Sequence, residues 1–186
     1  KGIGFLGFQE RWPQDYENIN LMRDYSRFTG GVTAQHGFGE WFTQRLVLGI
    51  DRAWETNTEF IPGDANFPVA PKGMLRYGRP LEQNITFDYA ASLRYRLNDA
   101  IGTTTSVGAQ YYTNFTENLE NFGDNFPTPV QTVIDQTDFA NRQIDYSYIE
   151  NKSLGVYVQE DIALNDRLYL TAALRADDNS AFGSEF

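Results

Sequence analysis

The sequence predicts an all-β chain, an antiparallel segment of a transmembrane β-barrel. Three observations carry this reading: a period of two in the apolar residues, alternating segments longer than globular strands, and short turns that alternate with long polar connections. The clearest segment runs from Ile85 to Leu97. Ile85, Phe87, Tyr89, Ala91, Leu93, Tyr95 and Leu97 share one parity; Thr86, Asp88, Ala90, Ser92, Arg94 and Arg96 share the other. Successive side chains of a strand point to opposite faces, so this strand has one apolar and one polar face.

The remaining elements follow in order. Ile3 to Phe8 read as the end of a first strand. Phe28, Val32, Ala34 and Phe38 are in phase on the next, Gly37 to Glu40 turn the chain, and Phe42, Leu46, Leu48, Ile50 and Trp54 are in phase on the return. After Leu97, the run Asn98-Asp99-Ala100-Ile101-Gly102 reads as a hairpin turn, because Asn, Asp and Gly tolerate tight-turn dihedrals. Thr103, Thr105, Val107, Ala109, Tyr111 and Phe115 then oppose Thr104, Ser106, Gly108, Gln110, Tyr112 and Asn114. Further on, Leu154, Val156, Val158, Ile162 and Leu164 oppose Gly155, Tyr157, Gln159, Asp161 and Ala163, with Glu160 breaking the apolar face. Asn165-Asp166-Arg167 turns the chain into Leu168, Leu170, Ala172 and Leu174, which completes about seven strands.

The connections have a rhythm. Short turns fall near 37–41, 98–102 and 165–167, and long polar segments near 10–24, 56–82 and 117–145, with another beginning near Asp177. In an antiparallel meander every second connection lies at the same end. Short turns at one end and long loops at the other are the layout of outer-membrane barrels.

Composition narrows the classes. The net charge of −10 disfavours a nucleic-acid partner, since phosphate binding needs a basic surface. There is no Cys, which excludes disulfides, thiolate metal sites and a Cys nucleophile. No apolar run reaches the roughly 18 residues of a membrane helix. The mean hydropathy of −0.49 is compatible with a barrel, because only one face of each strand meets lipid. Lys1 opens no signal-peptide pattern, so a signal has been removed or the chain begins within a longer protein.

A soluble β-sandwich also alternates, so three further features separate the two. Globular strands run to about five or six residues, whereas a tilted membrane strand needs roughly 9–11, and the segments 85–97, 103–115 and 154–164 match the latter. The polar face carries Arg45, Asp51, Asp88, Arg94, Arg96, Gln110, Gln159, Asp161 and Arg175, the character of a wet lumen. Trp41, Phe42 and Tyr95 lie toward the short turns, and Trp54, Phe87, Tyr111 and Phe115 toward the long loops, as two interfacial belts. Single-chain bacterial barrels use an even strand number, and open edges are not viable in a bilayer. Residues 1–186 are therefore expected to be part of one β-barrel domain of a longer protein.

No catalytic residue, metal site or cofactor is expected. His36 is the lone His, and Gly-x-Ser-x-Gly, P-loop and His-Glu-x-x-His patterns are absent. Asp177 and Asp178 are adjacent, so a strand would point them to opposite faces. Asp64, Asn66, Asp124 and Asn125 read as turn residues rather than calcium ligands. The sequons at Asn84, Asn114 and Asn151 read as chance. Binding is expected of the long loops, whose aromatics Phe60, Phe67, Tyr77, Phe122, Phe126 and Phe139 are interleaved with Asn and Asp. Flat apolar rings with polar neighbours suit sugars or peptides.

Gly155-Val156-Tyr157-Val158-Gln159-Glu160-Asp161, the Asn-Asp-Arg turn, and Leu168-Tyr169-Leu170-Thr171-Ala172-Ala173-Leu174-Arg175-Ala176-Asp177 resemble a barrel hairpin of TonB-dependent receptors. Asp178-Asn179-Ser180-Ala181-Phe182-Gly183 looks like the SusC-like (RagA-like) branch, with Asp178-Asn179 standing where Asp-Gly is typical. Gly30-Gly31-Val32, Gly39-Glu40-Trp41 and Leu48-Gly49-Ile50-Asp51 resemble the same region more loosely. The resemblance implies a barrel of about 22 strands with an N-terminal plug, of which neither plug nor TonB box is recognisable here. It further implies a bacterial outer-membrane location and lipid contact. The function implied is uptake of an organic nutrient such as a glycan or peptide, driven by the TonB energy-coupling system. A SusD-like lipoprotein lid is the implied partner. The residues leave open a passive or structural barrel and a secreted β-sandwich.

Overall fold

The computed structural model of the chain describes residues 19–63, 70–128 and 132–180. They form six strands: β1 (Asn20–Phe38), β2 (Phe42–Ile61), β3 (Met74–Asn98), β4 (Ile101–Asp124), β5 (Arg142–Leu164) and β6 (Leu168–Asn179). The sheet order is β1-β2-β3-β4-β5-β6, so every strand pairs with its sequence neighbours and no connection crosses another. The further strand expected at Ile3 to Phe8 lies outside the described residues. Between β5 and β6 the antiparallel register is continuous from Ser153↔Asn179 to Leu164↔Leu168.

The strands are longer than the sequence pattern suggested. β3 has 25 residues and β4 has 24. The polar segments 56–82 and 117–145, expected as loops, are strand at both ends and loop between: β2 runs on to Ile61, β3 begins at Met74, β4 continues to Asp124 and β5 begins at Arg142. The same correction applies to β1, which already starts at Asn20, and to β6, which runs to Asn179. Ladder hydrogen bonds are made by backbone groups and need no apolar face. Where both faces meet water, alternation in hydropathy fades while the pairing continues.

Contacts divide the chain into two compact units. One comprises residues up to Ser26, with Ala53–Leu81 and Thr116–Tyr148; the other comprises Arg27–Arg52, Glu82–Phe115 and the residues from Ile149 onward. The second unit holds all three short turns. Gly39 has φ of +52°, a conformation that favours a residue without Cβ. Asn98 caps the second turn, its Oδ1 accepting from the Ala100 and Ile101 N–H groups, both at 2.9 Å. Asn165 and Asp166 have φ of 53° and 51°, and the Arg167 N–H donates to the Leu164 carbonyl at 3.0 Å. Two successive left-handed residues match the twist of the flanking strands, which is why Asn and Asp stand there.

The first unit holds the long connections, 62–73 and 125–141. Phe126 is only 3% exposed and packs edge-on to Phe60, their centroids 6.4 Å apart. Gly73 (φ +87°) lies against that ring: a Cβ there would sit 3.2 Å from Phe126 Cδ2. The Asn125 and Phe126 N–H groups donate to Gly73 and Lys72 carbonyls, so the two connections are laced together. Two single 3-10 turns, Ile134–Gln136 and Phe139–Asn141, fold the second connection back, and a Cβ on Gly123 would meet Ile134 at 3.0 Å. Arg142 fastens it, donating to the Thr137 carbonyl from Nε at 3.0 Å and to the Asp135 carbonyl from Nη2.

In the second unit the apolar parity stays exposed. Phe28, Val32, Leu48, Leu93, Val107, Val156, Val158, Leu170 and Leu174 have between 39% and 73% of their surface open. No helix among the described residues is long and apolar enough to cross a membrane, so any crossing is made by strands. A continuous apolar face of this size needs a cover, and lipid supplies it in a barrel.

Two outcomes follow for the full-length protein. Val158→Arg, on the apolar face, is expected to destabilise the membrane-inserted barrel by about 2–4 kcal/mol. Gln159→Arg, one residue on and facing the other way, should leave it nearly unchanged; urea titration in bilayers reads both. Asn165→Val places a β-branched residue at positive φ and should cost about 1–2 kcal/mol by the same assay.

Candidate functional site

The polar parity of the second unit is built as one connected row. Arg45 Nη2 on β2 lies 3.4 Å from Asp88 Oδ1 on β3. Gln110 Nε2 on β4 donates to Asp88 Oδ2 at 2.8 Å, and its Oε1 accepts from Arg175 Nη1 on β6 at 2.9 Å. Arg175 also holds Asp177, with Nε and Nη2 contacts of 2.9 and 2.7 Å. To reach from β6 to β4 the guanidinium must cross β5, and the residue beneath it is Gly155. A Cβ there would meet Arg175 Nη2 and Asp177 Oδ1, each at 2.6 Å. Gly108 is used in the same way: the ring of Tyr157 fills the space a Cβ would occupy.

The other expected polar residues sit beside this row. Asp51 takes a forked contact from Arg27, Nε at 2.8 Å and Nη2 at 2.5 Å, and a third bond from Thr29 at 2.8 Å. Asp161 accepts from Thr171 at 2.6 Å and from Gln159 at 2.9 Å. Arg96 reaches Asp166 only at 4.0 Å, and the Arg94 guanidinium has no partner among the described residues. Both arginines line a cleft of about 500 Å³ with Thr104, Asp161, Tyr169 and Thr171.

The first unit has a polar cluster that the sequence reading assigned to loops. Arg76 on β3 bridges Glu59 (3.3 Å) on β2 and Glu120 (3.0 Å) on β4, and its guanidinium lies 5.7 Å from the Phe122 ring centroid. Arg23 grips Glu55 with two bonds of 2.9 and 2.6 Å. That hydrogen-bonded pair holds the Glu55 carboxyl below its ordinary range, with Asn57 adding a smaller push. Arg23, Asn57, Glu59, Arg76 and Glu120 line a cavity of about 450 Å³. Paired charges around an open space suit a polar or zwitterionic ligand.

The candidate aromatics are placed in different surroundings. Phe122 is on β4, under Arg76. Phe60 and Tyr77 line a more apolar open cleft of about 660 Å³, together with Val133, Ile134 and Ile144. Phe126 is enclosed by packing, whereas Phe139 is 87% exposed. Phe67 lies outside the described residues. Sequence reasoning passed over Arg23, Glu55, Glu59, Arg76 and Glu120; the available signal was that Glu55, Asn57 and Glu59 share one parity. His36, near the end of β1, stands edge-on to Phe38 at 5.2 Å. Among the described residues no group of three His, Cys, Asp or Glu is arranged to hold a metal.

A long antiparallel meander, polar on one face and openly apolar on the other, defines the class: wall of a membrane-spanning β-barrel. Residues 3–186 match the family described as TonB dependent receptor-like, beta-barrel, and the chain belongs to that family. Its architecture is that of solved structures of the RagAB peptide transporter. One superposes with a TM-score of 0.79 at 15% identity, over 92% of this chain and 19% of the other. The RagAB peptide importer in its "closed-closed" state gives 0.78 over 90% of this chain, and in its "open-open" state 0.78 over 94%. The chain thus spans about a fifth of the length of these structures. No curated protein matches it in sequence.

Replacing Gly155 by Val should displace Arg175 and cut its bond to Gln110. In the full-length receptor, Gly155→Val and Gln110→Ala should each lower the urea midpoint, and the double variant should lose less than their sum, because both break one contact. Arg23→Gln should weaken the folded state at neutral pH. The Glu55 carboxyl is depressed when folded, so the stability it adds is present above its unfolded pKa and lost as pH falls through the folded one. Wild type and variant should therefore converge on acidification, read by the same titration.

Proposed function

We propose that the chain is part of the wall of an outer-membrane importer of organic nutrients, with peptides as the favoured class and glycans the alternative. The observation that carries this is family membership over nearly the whole chain, joined to a structural likeness to a peptide transporter. Energy would come from the TonB system acting on a plug elsewhere in the protein. A SusD-like lipoprotein is the proposed partner, as the resemblance to the SusC-like branch implies.

The chemistry of the polar face supports an amphoteric cargo. Arg76 and Arg23 stand with Glu59 and Glu120 around a cavity, Arg23 also paired to Glu55, and Phe122 adds a flat face beside Arg76. A peptide presents amides, a carboxylate and an ammonium, which these groups complement. The residues assigned to cargo contact are Phe122, Arg76 and Glu120, with Phe60 and Tyr77 as a secondary apolar patch. The polar row from Arg45 to Arg175 is assigned to the lumen. No residue is assigned a catalytic role.

The test uses the full-length receptor. A strain lacking its gene should lose growth on peptide as sole nitrogen source and recover it with the wild-type copy. Arg76→Ala should raise the peptide concentration for half-maximal uptake about tenfold, a loss of roughly 1.4 kcal/mol of binding. Unimpaired growth of the deletion strain on peptides, with failure on an oligosaccharide, would move the assignment to glycans. Passive conductance of the purified protein in planar bilayers, without a coupling system, would replace import by an open channel.

A further inference from the structure

Glu160 stands on the wrong face. Its neighbours of the same parity on β5 are Leu154, Val156, Val158 and Ile162. Leu154, Val156 and Val158 are 38%, 46% and 43% exposed. A carboxylate on a lipid-facing side is costly unless its charge and lone pairs are met. Half of that requirement is met within the chain. Thr105 Oγ1 on β4 donates to Glu160 Oε2 at 2.5 Å, and Thr103 Oγ1 donates to Oε1. Thr103 is 4% exposed, so its hydroxyl is committed to this contact. The charge itself is not met: no Lys or Arg among the described residues pairs with Glu160.

The surroundings indicate what kind of cation fits. Across the β5–β6 ladder Glu160 faces Ala172, whose methyl brings no charge or donor to the carboxylate. The site lies four positions from the Leu164↔Leu168 pair that closes the hairpin. Tyr95 on β3 stands three positions before Asn98, close to the level of Thr103, which follows Ile101 by two. Tyr95 shares the apolar parity and is 41% exposed, as an interfacial ring should be. The carboxylate is therefore at the depth where lipid headgroups meet the hydrocarbon, on the side of the short turns. Anionic headgroups are repelled by the carboxylate, whereas a headgroup ammonium at that depth is attracted to it.

We infer that Glu160, with Thr103 and Thr105, is a binding site for a phospholipid carrying a primary ammonium headgroup, a phosphatidylethanolamine. The ammonium supplies the missing positive charge and three N–H donors. Its acyl chains lie against Val158, Leu170 and the neighbouring apolar face. The inference rests on the membrane-spanning reading of the chain.

Native mass spectrometry of the full-length receptor, released from mixed phosphatidylethanolamine and phosphatidylglycerol micelles, tests it. Wild type should retain phosphatidylethanolamine several-fold over phosphatidylglycerol, and Glu160→Gln should bring the ratio to parity while total bound lipid is unchanged. An equal ratio in both proteins overturns the site. Should Glu160→Gln fail to fold, thermal midpoints of the wild type in phosphatidylethanolamine and phosphatidylcholine nanodiscs decide: a higher midpoint with the former supports it, and equal midpoints overturn it, since choline has no N–H. Protein that carries no lipid and stays dispersed without detergent fails the membrane reading itself, a different result from an equal ratio.

Discussion

Everything here depends on backbone hydrogen bonding in a solvent that offers none. Inside a bilayer each N–H and C=O must find a partner in the protein, and only helices and closed sheets do this. With no suitable helix among the described residues, the chain meets the demand through an unbroken meander of neighbouring strands. The sheet then fixes side-chain placement, since each residue has only two directions to point. One parity is apolar and, Glu160 apart, the other carries the charge. Glycine at 155 is a direct product of that arrangement: a charged side chain that must cross a neighbouring strand needs a place without a side chain beneath it.

The legible part of the fold was the part with one apolar and one polar face. Alternation across 85–97 and 154–164 was clear because lipid demands an apolar residue at every second place. The three turns were legible because Gly39, Asn98, Asn165 and Asp166 meet specific backbone requirements. The extension of β2 into Ile61 and of β4 into Asp124 was not, because a paired strand in water has no compositional signature beyond tolerance of pairing.

The site was legible in a corresponding way. Arg45, Asp88, Gln110 and Arg175 could be assigned to one face by parity alone, but not joined to each other. Which residues meet across strands depends on register, and register is set by turn geometry and by pairings far apart in sequence. Arg175 and Gln110 are 65 positions apart, with β5 between them. The aromatics divided for a different reason. Phe126 and Phe139 belong to the same connection, and composition treats them alike. Enclosure of one by Gly73 and Phe60, and exposure of the other, arises from tertiary packing.

The three tight turns bear on how such a chain comes to be assembled. β1–β2, β3–β4 and β5–β6 are each joined by two or three residues, so each pair closes with contacts near in sequence. Loop-closure entropy is small for such pairs, and local pairing precedes distant pairing. The natural unit of biogenesis is then the two-stranded hairpin rather than the single strand. The long connections, 62–73 and 125–141, become seams between successive units. Insertions there would leave each hairpin's nucleation untouched, so these connections are the parts freest to diversify without impeding assembly.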